Sequence, residues 1–342
     1  MRGDNAKALC YNVPVIILFQ EEKYEACNTD GYTENPGDLS WDWLGDLVDG
    51  YTVYDKTPAE LIIERARDCE IIVTNKTPLT AETLERLSKA RYISTLATGY
   101  NVIDIAAASR LGITVSNIPA YSTDGVAQLV FALLLEMVNS VALHDRSVKA
   151  GEWADCEHFC YWKTPLTELS GKTFGIIGFG KIGSAVAAIA NAFKMKVIAY
   201  SPNTRSYDGF GSVDFVSLDE VISSSDVISL HCPLTESTTG LVNMEFIKKM
   251  KKGAYIINTS RGPVLNEADV RRALDEGLLA GVGADVLSTE PPMADNPLAT
   301  SDKTVITPHI AWASLEARTR LMNIFKSNVE GFVKGHPVNT VN

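Results

Sequence analysis

Apolar residues make up 46% of this 342-residue chain, yet they nowhere run together far enough to cross a membrane. The richest stretch lies between Thr123 and Ala150 and is interrupted by Gln128, Glu136, Asn139 and Ser140. It falls short of the ~18–20 consecutive apolar residues that a spanning helix needs. Positive charge is also in deficit: 31 Lys and Arg against 42 Asp and Glu leave a net charge of −11. That excess argues against nucleic acid or an anionic membrane as a partner, but not against a small anion held by local basic residues. Cysteine is sparse, with six residues of which only Cys156 and Cys160 lie close together. The Cys156-Glu-His158-Phe-Cys160 spacing is not that of a zinc site, so no metal is expected. Scattered thiols predict a reduced, cytoplasmic protein, and Met1–Asn12 mixes charges of both signs without the layout of a signal peptide. Histidine is rare as well, with five residues, and a lone histidine is a structural residue until a neighbour gives it a task.

What is present centres on Gly178-Phe179-Gly180-Lys181-Ile182-Gly183. An apolar run from Phe174 to Ile177 leads in, and the alanine-rich, proline-free segment Ser184 to Phe193 leads out. Strand, glycine turn and helix are the context of a dinucleotide-binding fingerprint. Gly178 permits the turn, Gly180 lets the backbone approach a pyrophosphate, and Gly183 lets helix and strand pack closely. The helix start, at Lys181 and Ile182, offers unpaired N–H groups and a positive dipole end to phosphate.

The length predicts two domains. In the first, Pro14–Phe19 reads as an opening buried strand, followed by a polar stretch, Gln20–Ser40. Further short apolar runs end at Tyr54, Val73, Leu96 and Val115, with helical patterns such as Ala81–Ala90 and Val102–Leu111 between them. Strands alternating with helices mean a parallel sheet covered on both faces, here a small flavodoxin-like α/β domain. A helix is predicted over 123–150, serving as core and as subunit interface at once. Residues 151–169 form an irregular aromatic loop. From Gly171 six strands are predicted near 174–178, 196–200, 226–230, 254–258, 279–284 and 304–306, a Rossmann-type doubly wound sheet. The expected division is 1–119 with 313–342 for one domain and 120–312 for the other, the last helical pattern, Leu315–Lys334, returning to the first.

Ligands of such sheets bind beyond the carboxyl ends of the strands. Those ends carry Ser201, His231-Cys232-Pro233, Thr259-Ser260-Arg261-Gly262, Asp285 and Pro308-His309.

On these residues the chain resembles the D-isomer-specific 2-hydroxyacid dehydrogenases over nearly its whole length. The resemblance rests on Gly178–Gly183, Ile257-Asn-Thr-Ser-Arg-Gly262, Asp285-Val-Leu-Ser-Thr-Glu-Pro291 and Thr307-Pro-His-Ile-Ala-Trp312. Leu96-Ala-Thr-Gly-Tyr-Asn101, His158-Phe-Cys-Tyr-Trp162 and His309–Trp312 look most like its glycerate dehydrogenase (hydroxypyruvate reductase) branch. The resemblance implies NAD- or NADP-dependent reduction of a small 2-keto acid, a cleft between a mobile substrate domain and a cofactor domain, and a homodimer formed through the long helix. Arg261 is the natural anchor for the substrate carboxylate, because guanidinium stays charged and forms a planar fork. His309 is the natural acid for the developing alkoxide. Glu290 matches the residue that orients its ring and favours imidazolium. Cys232, Pro233, Thr259, Ser260 and Asp285 fall at cofactor positions, Asp285 near the nicotinamide amide. Thr98-Gly99-Tyr100 matches the loop that meets the carboxylate. Lys76 offers a second cation, though a solvated lysine is the simpler reading.

Two departures stand out. Members restricted to NAD carry an acidic residue where this chain has Ser201, and Arg205 nearby suits a 2′-phosphate, so both cofactors are expected to bind. The expected opening strand is also displaced, because Asp30–Trp41 resembles the family's first loop and follows the polar segment 20–30. Phosphoglycerate and D-lactate dehydrogenases are the enzymatic alternatives. A corepressor-like protein that senses NAD(H) is the non-enzymatic one, and the intact Arg261, Glu290 and His309 argue against it.

Overall fold

The computed structural model describes residues 24–202 and 209–342, which form two compact units. The first contains residues 24–95, 101–116 and 328–342; the second contains 96–100 and 117–327.

The first unit is built on β1 (Glu25–Asn28), β2 (Gly50–Val53), β3 (Ile71–Thr74), β4 (Tyr92–Thr95) and β5 (Thr114–Ser116). The strand order is β2-β1-β3-β4-β5 and every pair is parallel. This is the flavodoxin-like order, with its switch point between β1 and β3. Three short helices connect the strands: α1 (Ile62–Ala66), α2 (Ala81–Glu85) and α3 (Ile105–Arg110). Thr80 and Asp104 cap α2 and α3 by accepting from Thr83 N and Ala107 N, which satisfies amides that a helix start leaves open. Residues of β3 and β4 are buried throughout, as strands covered on both faces must be. The chain end belongs here too: Phe332 stacks on Tyr92 at 4.5 Å and Val341 N donates to Val115 O at 2.9 Å.

Among the described residues the first strand lies in the segment read as polar. Pro14–Phe19 lies outside the described residues, and the polar segment before Asp30 is itself the strand β1. Glu25 is exposed, but Ala26, Cys27 and Asn28 are buried. The Oδ1 of the buried Asn28 accepts from Asp30 N at 3.1 Å, while its Nδ2 has no partner among the described residues. Asp30 in turn is an acceptor for the loop after β3, taking Asn75 N and Thr77 N, both at 2.8 Å, and also Lys76 N.

The second unit carries β6 (Thr173–Ile177), β7 (Lys196–Tyr200), β8 (Asp214–Phe215), β9 (Val227–Leu230), β10 (Ala254–Asn258), β11 (Leu279–Ala284) and β12 (Thr304–Ile306). The order β8-β7-β6-β9-β10-β11-β12 is parallel throughout. It is the Rossmann order with one strand added at the β12 edge. All six predicted strands are there; β8, two exposed residues, is the one not foreseen.

The helix predicted over 123–150 is two helices. α4 (Thr123–Asn139) and α5 (Val141–Lys149) meet at Ser140, whose backbone is left-handed (φ 48°, ψ 46°), and their axes diverge by 57°. A left-handed residue ends the i→i−4 ladder whatever the side-chain pattern does. α4 buries Val126, Val130, Phe131, Leu133, Leu134 and Val138, packing on α6 (Lys181–Ala192) and on β10–β12. Among the described residues no single helix is long and apolar enough to cross a membrane. α7 (Leu218–Ser224), α8 (Met244–Lys249) and α9 (Glu267–Asp275) complete the second unit. α10 (Leu315–Val333) starts in the second unit and from Asn328 counts with the first.

Candidate active site

Sheet register sets the site. Ile177 pairs with Leu230, Leu230 with Asn258, Asn258 with Ala284, and Ala284 with Ile306. The residues that follow, Gly178, His231-Cys232-Pro233, Thr259-Ser260-Arg261, Asp285 and Thr307-Pro308-His309, therefore emerge in one row at the carboxyl edge. Backbone bonds extend the ladder into this row: His231 N to Ile177 O at 2.8 Å, Asp285 N to Asn258 O at 3.0 Å, and Thr307 N to Ala284 O at 2.9 Å.

The glycine turn fits a dinucleotide. Gly178 has φ +96°, and a Cβ there would lie 2.5 Å from Cys232 N, so only glycine lets β6 and β9 deliver their loops side by side. At Gly183 a Cβ would meet Gly178 O at 2.6 Å, whereas around Gly180 the space is open for 4 Å. Gly180 is the N-cap of α6 and has no side chain to cap it, so no N-cap side chain takes up the first amides of that helix. Lys181 is exposed and Ile182 half-buried at the helix start; Ser201 follows β7. Thr259 Oγ1 is buried without a partner in the row, a group a ligand can satisfy. Arg205 lies outside the described residues.

Arg261 is exposed, its Nη1 donating to Ser260 O at 2.6 Å. The buried Asn258 shapes its loop, since Asn258 Oδ1 accepts from Ser260 N and Oγ while its Nδ2 donates to Arg261 O at 2.9 Å. Sequence reading passed over Asn258, although an Asn two residues before a turn is the Asx signal. Gly262 then lies so close to the backbone of Leu287 and Ser288 that a Cβ would collide with it. The Arg261 loop and the Glu290 loop are thus packed backbone to backbone.

His309 Nδ1 lies 2.7 Å from Glu290 Oε2, while Leu287 N donates to Glu290 Oε1 at 3.1 Å. Ring Nε2 has no partner among the described residues. An imidazole held by a carboxylate at one nitrogen and open at the other is the arrangement of a proton donor with a fixed ring. His309 itself is left-handed (φ 56°), a conformation that costs a histidine about 1 kcal/mol or more.

Asp285 holds that conformation. It is 1% exposed; its Oδ1 accepts from Thr307 Oγ1 at 2.6 Å and Ile310 N at 2.8 Å, its Oδ2 from Ala311 N at 2.8 Å, and its carbonyl from His309 N at 2.8 Å. Burial raises its pKa above the usual carboxylate range, and the Thr307, Ala311 and Ile310 donors oppose that rise. The carboxylate is engaged with the histidine loop on both oxygens. Nearby, desolvation pushes the His231 imidazole down to about 4, so that ring is neutral; its Nε2 is 2.9 Å from Ser229 Oγ.

Thr98, Gly99 and Tyr100 belong to the second unit. Thr98 Oγ1 donates to Ile118 O and Asn117 Nδ2 donates to Thr98 O, each at 2.8 Å, while Thr98 and Tyr100 remain exposed. Lys76 belongs to the first unit, with an exposed side chain. No three His, Cys, Asp or Glu side chains converge as a metal requires among the described residues.

Residues 131–311 match the profile of the D-isomer specific 2-hydroxyacid dehydrogenase, NAD binding domain. A hydroxypyruvate reductase of Blautia hydrogenotrophica is 48% identical over 319 residues, covering 92% of this chain and 98% of that protein. The chain belongs to this dehydrogenase family. A glycerate dehydrogenase of Methylorubrum extorquens is 40% identical, covering 85% of this chain and 91% of its own. The solved structure of an acyclic imino acid reductase in complex with NADPH and D-Arg superposes with a TM-score of 0.81 at 32% identity, covering 93% of this chain and all of that one. As a D-2-hydroxyacid dehydrogenase the protein is an oxidoreductase of CH–OH groups with a Rossmann-type cofactor domain. That reaction needs a hydride donor and a proton donor, and the Glu290–His309 pair has the geometry of the second.

Proposed function

We propose that this dehydrogenase reduces hydroxypyruvate or glyoxylate to D-glycerate or glycolate, with the second unit (96–100 and 117–327) binding the cofactor and the first (24–95, 101–116 and 328–342) serving as the substrate domain. The observation that carries the proposal is the 2.7 Å Glu290–His309 pair at the end of the row that begins with the glycine turn. Bound NADH or NADPH supplies the hydride. His309 donates the proton to the developing alkoxide from Nε2, Glu290 stabilises the imidazolium through Nδ1, and Arg261 pairs with the substrate carboxylate. Thr98–Tyr100 offers backbone amides to the same carboxylate. The names of the two relatives favour hydroxypyruvate over lactate or phosphoglycerate.

Ser201, in place of an acid, carries no charge to repel a 2′-phosphate, so NADP is accepted beside NAD. The five described cysteines are all free thiols, in keeping with a reducing cytoplasm. α5 and the loop after it expose Val141, Trp153, Phe159 (89%) and Trp162 (68%), an apolar surface suited to a second copy of the chain and hence to a homodimer. The deciding experiment is steady-state kcat/KM for hydroxypyruvate, glyoxylate, pyruvate and phosphohydroxypyruvate with each reduced cofactor. A preference for pyruvate or the phosphorylated acid would overturn the substrate, and absence of turnover with all four the activity.

A further inference from the structure

The loop that carries Glu290 is braced from one side by α9. Glu267, the first residue of that helix, accepts from Ser288 N through Oε1 and from Asn296 Nδ2 through Oε2, both at 2.7 Å. Asn296 is buried, and its Oδ1 closes the far end of the loop by accepting from Leu298 N at 2.9 Å and Ala299 N at 3.0 Å. One turn further along the same helix face, Arg271 Nη1 donates to Pro297 O at 3.0 Å. On the opposite side Gly262 presses against Leu287 and Ser288. The consecutive amides of Leu287 and Ser288 are therefore shared between two carboxylates, Glu290 taking the first and Glu267 the second.

We propose that Glu267 is a positioning residue for the proton-donating pair: by holding the Ser288 amide it keeps the Glu290 carboxylate on His309. The inference rests on the reductase reading above. Without Glu267, two adjacent amides compete for the one carboxylate, and Glu290 is drawn towards the backbone and away from the ring. The groups facing His309 are then Glu290 at a longer distance and Asp285, whose oxygens are engaged with the loop amides. The plainer role for an acid in the first turn of a helix is to offset the helix dipole, which affects stability alone.

The test compares Glu267→Ala with Arg271→Ala, which loosens the same loop without touching the Ser288 amide. For hydroxypyruvate reduction, Glu267→Ala should lower kcat/KM by about 10- to 100-fold, the range that a displaced catalytic group produces. It should also move the alkaline fall of kcat/KM to lower pH, because imidazolium loses its partner. Arg271→Ala should leave that fall in place. Glu267→Gln, which keeps an acceptor for Ser288 N, should restore the wild-type profile. An unmoved profile in Glu267→Ala, or an equal movement in Arg271→Ala, would overturn the proposal. If Glu267→Ala does not fold, Glu267→Asp, one methylene too short to span both partners, is read by the same criteria. If the wild-type protein proves inactive on keto acids, the reductase reading fails by itself, and ¹⁵N titration of the His309 ring in wild type and variant still decides the positioning.

Discussion

Replacing Glu34 with glutamine tests how the first unit tolerates a carboxyl group in its interior. Glu34 is 0% exposed, next to the loop after β3; its Oε1 accepts from Thr33 Oγ1 at 2.8 Å and from Asn75 Nδ2. Burial, aided by the nearby Asp30 charge, pushes its pKa up from 4.5 to about 7, while the Thr33 and Asn75 donors only partly offset the rise. A carboxyl group raised in this way is protonated more readily folded than unfolded. Its favourable contribution is complete below pH 4.5 and is lost as pH rises through about 7. The rise from 4.5 to about 7 corresponds to a penalty of about 3 kcal/mol once the group is fully ionised, of which about 2 kcal/mol develops between pH 5 and pH 8. Glutamine keeps an acceptor for Thr33 and Asn75 and never ionises. Urea unfolding followed by tryptophan fluorescence, with Trp41 and Trp43 reporting on this unit, should give near-equal stabilities for wild type and Glu34→Gln at pH 5. At pH 8 the variant should be the more stable by about 2 kcal/mol. A variant that is less stable than wild type at pH 8 would show instead that Asn75 and Thr33 hold a stabilised charge.

His309→Ala should lower hydroxypyruvate reduction by about 10²–10⁴, the usual worth of a placed general acid, and a near wild-type rate would remove His309 from the mechanism. Glu290→Gln should retain more activity but shift the alkaline fall of kcat/KM to lower pH, as pH–rate profiles will read directly. Arg261→Lys keeps the charge and loses the fork, so kcat/KM should drop with KM rising; an unimpaired lysine enzyme would hand the carboxylate to the Thr98–Tyr100 amides. Ser201→Asp should move cofactor preference towards NADH, measured as the ratio of kcat/KM for the two reduced cofactors. Asp285→Asn should reduce kcat and lower the urea midpoint together, because an amide cannot accept from Ile310, Thr307 and Ala311 at once; a pure rise in KM for the cofactor would instead place Asp285 at the nicotinamide.

The second unit was readable because its strands are short, continuous apolar runs that end on polar or glycine residues, and β7, β10, β11 and β12 occupy the residues predicted for them. β1 was not, because Glu25 and Asn28 give it the composition of a loop, and its burial depends on β2 and β3, which lie 20 and more residues away. Nothing in the apolar pattern from Val126 to Val141 marks Ser140 as left-handed, so the two helices read as one. Pairing of Glu290 with His309 followed from resemblance rather than spacing, as 19 residues and a strand separate them. The engagement of Asp285 with Ile310 and Ala311 across 25 and 26 residues was beyond reach, since it depends on β11 and β12 ending side by side.

The glycines of the cofactor turn have unequal consequences for anyone scoring variants. At Gly178 the missing side chain makes room for the protein's own His231–Cys232 backbone, while at Gly180 it faces open space. A library screened for cellular abundance would deplete substitutions at the former and pass many at the latter, and a screen for turnover would deplete both. Read from activity alone, the two positions look alike and invite a common label as nucleotide contacts. Only the pair of screens separates a residue the chain requires in order to assemble from one the cofactor requires in order to dock.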